Sequence, residues 1–420
     1  MSSLPCPSTA DLLRLGAEYL TPNYRQQPVV LVRGLGCEVW DTEGRRYLDL
    51  TGGIAACPLG HSHPRLVRTL ADQAARLIHV SNLFFNEPQL LLARRLCESL
   101  QQALGPCQAF FCNSGAEANE AAIKLARRYH QTLRADARRI EVLSFEGSFH
   151  GRTVATVALT GQEKYRAGFG PLVGWARHLP WPEREGDLRP LEHITDQTCA
   201  VLIEPIQAEG GIRVPPPGFL RALRRRCDET GALLIFDEVQ TGIGRTGTLW
   251  GHQSDPQPAA PDILTVAKGL GGGVPVGAML ARQEVARALT PGSHASTFGG
   301  NPLATAAALT VLDTLEDEGL LENTRQRGEE LTAGLRQLCQ RHAPLAIEPR
   351  GRGLLQGLLL AGDAMPAVHA CRERGVLLSV AGGTVVRFAP PLVVSAAQIA
   401  EGLQVLDEVL ASLQANGAKA

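Results

Sequence analysis

Ile263-Leu264-Thr265-Val266-Ala267-Lys268-Gly269-Leu270-Gly271-Gly272-Gly273 is an apolar run of strand length that stops on a lysine and opens into glycines. Comparable runs surround it: EVLSF at 141–145, AVLIE at 200–204, ALLIFDE at 232–238 and GAMLA at 277–281. None alternates apolar with polar residues, which is the pattern of strands covered on both faces of a mostly parallel sheet. Amphipathic stretches separate the runs. One helix is expected over 119–130, with Glu120 in its first turn and Lys124, Arg127, Arg128 and His130 toward its end. From about residue 90 to 281 the chain therefore reads as an α/β layer structure with a mostly parallel sheet.

Beyond about residue 303 the pattern changes to long helical stretches with a shorter β-rich part, including VVRFAP around Arg387. This reads as a smaller α+β domain. Its last helix opens with Ser395 and Gln398 in capping-box spacing and carries Ile399, Leu403, Leu406, Leu410 and Leu413 on one face, a core stripe. The expected division is 1–75 as an N-terminal segment contributing to the small domain and the active site, 76–305 as the large ligand-binding domain, and 306–420 as the C-terminal small domain.

Composition excludes several classes. With 420 residues and 44% apolar content the chain can bury a large core. Its 41 basic and 42 acidic side chains nearly cancel, so no global field draws it to nucleic acid or to an anionic membrane. No apolar run approaches the roughly eighteen residues of a membrane span. The first residues, MSSLPCPSTADLLRL, lack a basic region followed by an apolar stretch, so no secretory signal is expected and a cytoplasmic location fits best. The ten cysteines contain no CxxC pair and read as small buried residues in a reducing compartment.

Open α/β sheets bind ligands at the carboxyl ends of their strands. Three ionisable residues directly follow apolar runs: Glu204, Asp237 and Lys268. One acid at a strand end is unremarkable; two acids and a lysine at three strand ends suggest a site. The glycines after Lys268 leave its amine open to a large flat ligand, and a desolvated lysine becomes a nucleophile toward a carbonyl. A Schiff-base cofactor of the pyridoxal type needs a carboxylate against its ring nitrogen, and Asp237 can supply it. Upstream, Ser114, Gly115 and Ala116 join the apolar AFF to a helix, where free backbone N–H groups and the helix dipole make a phosphate seat.

Gly242-Ile243-Gly244-Arg245-Thr246-Gly247 is a literal GxGxxG with Asp262 twenty residues after its first glycine, as in a dinucleotide-binding oxidoreductase. Gly251, Pro256, Pro258 and Pro261 leave no room for the helix that should hold the pyrophosphate. A triphosphate-binding loop fails because Lys268 precedes its glycines. His61-Ser62-His63 lacks suitably spaced partners for a metal, and none is expected. A non-enzymatic scaffold predicts loss of Lys268, Asp237 or Arg152, and all three are present.

In order along nearly the whole chain stand LGHSHP (59–64), FCNSGAEANEAAIKLAR (111–127), FHGRT (149–153), EPIQAEGG (204–211), FDEVQTGIGRTG (236–247), AKGLGGGVPVGA (267–278), STFGGNP (296–302) and RFAPPL (387–392). This set resembles the class III (ω-) aminotransferases, fold-type I pyridoxal 5′-phosphate enzymes, most closely their acetylornithine branch. The resemblance implies that Lys268 holds the cofactor, that Asp237 and Gln240 hold its ring nitrogen and hydroxyl, that Phe149 stacks on the ring, and that Gly115 and Ala116 bind its phosphate. It also implies a homodimer with shared active sites, in which Thr297, preceded by Ser296, reaches the phosphate of the neighbouring subunit's cofactor.

For substrates, the resemblance implies that Arg152 clamps a remote carboxylate, of an acylated ornithine in one half-reaction and of 2-oxoglutarate in the other. Arg387 would bind the carboxylate beside the reacting carbon of glutamate or 2-oxoglutarate, and Glu209 would neutralise it when the donor brings none. Tyr24 would sit near the substrate carboxylate. Ile54 stands where ornithine δ-aminotransferases carry a tyrosine, which favours an acylated amine. The implied reaction moves the δ-amino group of N2-acetyl-L-ornithine to 2-oxoglutarate, in arginine biosynthesis. Succinylornithine, succinyldiaminopimelate and 4-aminobutyrate are the alternatives within the class.

Overall fold

The computed structural model describes residues 8–417. Cys6 and the first seven residues of the stretch read for a secretory signal lie outside the described residues. The large sheet has seven strands: β1 Cys107–Cys112, β2 Glu141–Phe145, β3 Ala176–Leu179, β4 Thr198–Ile203, β5 Leu233–Asp237, β6 Ile263–Val266 and β7 Gly277–Arg282. Their order is β1-β7-β6-β5-β4-β2-β3, and only β7 runs antiparallel to its neighbours, β1 and β6.

The unbroken apolar runs have the predicted cause. All residues of β4, β5 and β6 are buried. Successive side chains leave a strand on opposite faces. Leu202 and Ile235 join Ala121, Ala122 and Leu125 of the helix Gly115–Arg128 on one side. Val201, Ile203, Leu234 and Phe236 join Phe219, Leu220 and Leu223 of the helix Phe219–Thr230 on the other. Burying a side chain such as Leu202 contributes about 2 kcal/mol.

One expected boundary moves. The helix placed at 119–130 begins at Gly115 and ends at Arg128, where a π-turn, Tyr129–Leu133, follows. The reason is local: Ser114 is the N-cap, its hydroxyl accepting the Glu117 N–H, so small residues that look like loop already form the first turn.

Two four-stranded sheets complete the β structure. In one, Leu31–Leu35, Glu38–Asp41 and Arg46–Asp49 form an antiparallel meander, and Val376–Leu377 pairs parallel with Arg46–Asp49. The other is antiparallel, with Ala346–Arg352, Leu355–Leu360, Val385–Phe388 and Ser379–Ala381 in that spatial order. The final helix, Ala396–Gly417, has the expected capping box: the Ser395 N–H donates to Gln398 Oε1 and the Gln398 N–H to Ser395 Oγ. Ile399, Leu406 and Leu410 on its stripe are buried. No helix among the described residues is long and apolar enough to cross a membrane.

The nine described cysteines are free. Burial pushes the thiols of Cys112, Cys199, Cys227 and Cys371 up to about 12, which keeps them protonated and unreactive. His61 and His63 face Asp49 and Glu318, at 2.8 and 3.3 Å. The GxGxxG stretch runs through turns into a short 3₁₀ turn, Gly251–Ser254, with no helix at its end. Arg245 within it is buried and donates to the carbonyls of Leu354 and Pro390, so the stretch joins the large sheet to the C-terminal part.

Candidate active site

The carboxyl ends of β2, β4, β5 and β6 open on a cleft of about 390 Å³. Lys268, Asp237 and Glu204 line it together, as their places after three apolar runs predict. Lys268 lies two residues beyond β6 with φ +43, a left-handed conformation that a lysine adopts only at some cost, on the order of 1–3 kcal/mol. Burial pushes its amine below the ordinary lysine value; Glu209 opposes this, and Arg387 adds to it. The result is an amine nearer to its neutral, nucleophilic form.

Asp237 is buried and held by three groups. Its Oδ1 accepts the Val239 N–H at 3.1 Å, and its Oδ2 accepts from Asn119 Nδ2 at 2.8 Å. His150 Nδ1 is also 2.8 Å from Oδ2, and a carboxylate only accepts, so this ring nitrogen carries the proton. Asn119 in turn donates to the His150 carbonyl and accepts from the Thr265 hydroxyl. Asp237 is thereby fixed in orientation, and its two oxygens keep room for one more donor from the cleft.

At the start of the helix Gly115–Arg128, Ser114, Gly115 and Ala116 all line the cleft. The Ser114 hydroxyl accepts the Glu117 N–H, and the helix-start N–H groups of Gly115 and Ala116 have no intrahelical partner. A side chain on Gly115 would come within 2.6 Å of Val239, which explains the glycine. Phe149 forms a wall, its N–H bonded to Glu204 Oε2 at 3.0 Å. Glu204 is buried; burial first, then the neighbouring Asp237, pushes its carboxyl well above the usual range.

Gln240 lines the cleft and connects it to a buried ion pair. Its Nε2 reaches Glu209 Oε1 at 3.4 Å, and Arg387 Nη1 reaches its Oε1 at 3.4 Å. Arg387, 2% exposed, is paired with Glu209 at 2.5 Å and donates from Nε to Ser379 Oγ at 3.0 Å. Burial raises the Glu209 carboxyl, but Arg387 and Lys268 outweigh it and hold the group below its ordinary value. Arg152 also lines the cleft and faces solvent.

Glu209 and Arg387 meet the cleft only through Gln240, and three further expected site residues, Tyr24, Ser296 and Thr297, are not brought to it within one chain. Tyr24 is 75% exposed, because the segment around it lies on the surface with few contacts. Ser296 and Thr297 line a separate cavity of about 580 Å³ with Phe110, Phe111 and His294. Ser296 touches the site only through Asn113, whose Nδ2 is 3.4 Å from its hydroxyl. Ile54 sits in a kink with φ +59, two residues before Ala56 on the cleft wall. His150, Asn119 and Thr265 were not expected. His150 stands inside FHGRT, but nothing in that block ties it to a carboxylate 87 residues away.

The cleft fits pyridoxal 5′-phosphate: a buried carboxylate with a free acceptor site, a lysine of lowered basicity, an aromatic wall, and a helix start with two unpaired N–H groups converge on one space. Comparisons with known proteins agree. Residues 19–410 match the class-III aminotransferase family. The acetylornithine aminotransferase of Thermosynechococcus vestitus is 50% identical over 399 residues, covering 93% of this chain and 95% of that protein. The ornithine aminotransferase of Toxoplasma gondii, whose crystal structure has partial occupancy of PLP at the active site, superposes with a TM-score of 0.90 at 32% identity, covering 98% of this chain and 97% of that one. The N-acetylornithine aminotransferase of Stenotrophomonas maltophilia gives 0.80 at 37% identity, covering 96% and 100%. The chain belongs to the class-III aminotransferases and is a pyridoxal-phosphate-dependent transaminase.

Proposed function

We propose that this enzyme transfers the δ-amino group of N2-acetyl-L-ornithine to 2-oxoglutarate, giving N-acetyl-L-glutamate 5-semialdehyde and L-glutamate, the transamination step of arginine biosynthesis. The observation that carries this reading is the contrast between its two arginines. Arg152 stands open at the cleft, while Arg387 is neutralised by Glu209. A donor with one remote carboxylate and none beside its reacting carbon needs only Arg152. Glutamate and 2-oxoglutarate need both, and Glu209 releases Arg387 for them. Relatives at 44–50% identity that carry the acetylornithine aminotransferase name support the same choice.

The bound cofactor supplies the electron sink that makes the hydrogen on the donor carbon acidic. The chain does the rest. Lys268 Nζ binds the cofactor, then accepts and returns the proton at the reacting carbon. Asp237, fixed by His150 and Asn119, would hold the ring nitrogen, and Gln240 the ring hydroxyl. Phe149 would form the wall beside the ring, and Gly115 and Ala116 would bind the phosphate at the helix start.

A homodimer suits the exposed apolar surface that includes Leu83, Phe85 and Phe298, of which Leu83 is 87% exposed. In it, Ser296 and Thr297 of one copy would complete the phosphate site of the other, and Tyr24 would gain its contacts. The pairing of Val376–Leu377 with Arg46–Asp49 supports reading residues 1–75 as part of the small domain formed by 306–420, with 76–305 as the large one. Free cysteines suit a cytoplasmic setting.

The test compares kcat/KM for N-acetylornithine, N-succinylornithine, ornithine and 4-aminobutyrate with 2-oxoglutarate as acceptor. The acylated ornithines should lead. Preference for 4-aminobutyrate overturns the substrate assignment.

A further inference from the structure

Two arginines are offered to carboxylates, and the chain holds them by different means. Arg387 is locked to Glu209. Among the described residues no carboxylate lies within salt-bridge distance of Arg152; its guanidinium carbon instead lies 4.1 Å from the centre of the Tyr165 ring and 5.5 Å from that of Phe149. These two rings meet edge to face, with centres 5.5 Å apart and planes at 82°. Arg152 thus rests in a corner between two aromatic surfaces.

An aromatic face attracts a cation without using its N–H donors. A carboxylate in the same place would compete with the substrate in both half-reactions, whereas the rings hold Arg152 and leave its donor fork free. Phe149 has a second duty as the wall of the cofactor site, so Tyr165, half-buried in the short helix Glu163–Arg166, is the member free to serve Arg152. Lys164 Nζ, 4.8 Å from the same ring centre, adds positive charge nearby without lining the cleft.

We propose that Tyr165 is a specificity-determining residue: its ring is the platform that presents Arg152 to the remote carboxylate shared by donor and acceptor. This rests on the role given to Arg152 above. The class of ligand it selects is a dicarboxylate, or an ω-amine with a distant carboxylate.

The experiment uses the holoenzyme and two acceptors of equal length, 2-oxoglutarate and 2-oxopentanoate, of which only the first has a remote carboxylate. Binding of glutarate, an unreactive dicarboxylate, is measured by calorimetry alongside. Tyr165→Leu should raise KM for 2-oxoglutarate and weaken glutarate binding about fivefold, with kcat and the constants for 2-oxopentanoate unchanged. Tyr165→Phe should behave as the parent enzyme, and Tyr165→Leu should add nothing in an Arg152→Ala background. Equal losses for both acceptors, or unaltered glutarate affinity in Tyr165→Leu, overturn the platform. If Arg152→Ala itself leaves the preference for 2-oxoglutarate intact, the role of Arg152 falls and the platform with it. If only Arg152→Ala abolishes the preference, the role of Arg152 stands and the platform alone is wrong.

Discussion

Glu209 and Arg387 form a buried pair 178 residues apart in sequence, with Gln240 bridging them to the cleft. In the function proposed above the pair is a charge store: closed, it hides a cation, and opened, it would offer that cation to an α-carboxylate. Because the Arg387 side chain is 2% exposed and that of Glu209 16%, removing the carboxylate leaves a buried guanidinium uncompensated.

Glu209→Ala should therefore cost about 3 kcal/mol of stability in urea denaturation. It should also slow the half-reaction with the acylated ornithine while sparing that with glutamate, as seen in single-turnover measurements of each. The Glu209 carboxyl is held low, so its contribution is complete above the unfolded carboxylate value near 4.5 and is lost as pH falls through the lower folded value. Equal stability of parent and variant at pH 7 would speak against the pair.

His150 acts on Asp237 alone. Its ring is buried, Nδ1 serves Asp237, and Nε2 has no partner. His150→Ala removes a hydrogen bond to a charged group, worth about 1.5–3 kcal/mol, and should weaken cofactor affinity at least tenfold in a spectral titration. Unchanged affinity would mean that Asn119 and the Val239 N–H suffice to orient the carboxylate.

Lys268 is the place where the chain gives up stability for reactivity. Its amine is desolvated and its folded value lowered, so the unfolded chain binds the proton more strongly. The resulting destabilisation is complete below the folded value and is relieved as pH rises toward 10.5. Lys268→Met in the cofactor-free protein should be more stable at pH 7 by about 1 kcal/mol, a gap that closes at high pH. A variant less stable than the parent at pH 7 contradicts this.

The sequence made one half of the site legible and left the other dark. Lys268, Asp237 and Glu204 were visible because each ends an apolar run, and strand geometry delivers run ends to one edge of the sheet. The unbroken apolar runs likewise announced burial on both faces. His150 and Asn119 were not visible, because a polar residue in a loop or near a helix start reads as a cap and the partner of each, Asp237, lies far along the chain; Tyr165 was not visible because a lone aromatic in a polar stretch carries no signal of the cation it faces. The roles of Arg152, Glu209 and Arg387 came from resemblance, because charges carry no periodic signal. The start of the helix Gly115–Arg128 was read late because a glycine–alanine first turn has the composition of a loop.

The Ser395–Gln398 capping box was legible outright and gives a prediction free of catalysis. Ser395→Ala should lower stability by about 1 kcal/mol, while the bound cofactor's spectrum and the kinetics stay unchanged. A loss below a few tenths of a kcal/mol would show that the packing of Ile399, Leu406 and Leu410 holds the helix start without the cap.

The claim on which the rest depends is that Lys268 carries the cofactor. Borohydride fixes a carbonyl compound held on a lysine, and proteolysis with mass spectrometry then finds the labelled residue. The pyridoxyl phosphate mass should lie on the peptide containing Lys268, and Lys268→Ala should lose both the label and the visible absorbance. A label on Lys124 or Lys164, or an unchanged spectrum in Lys268→Ala, would contradict the account.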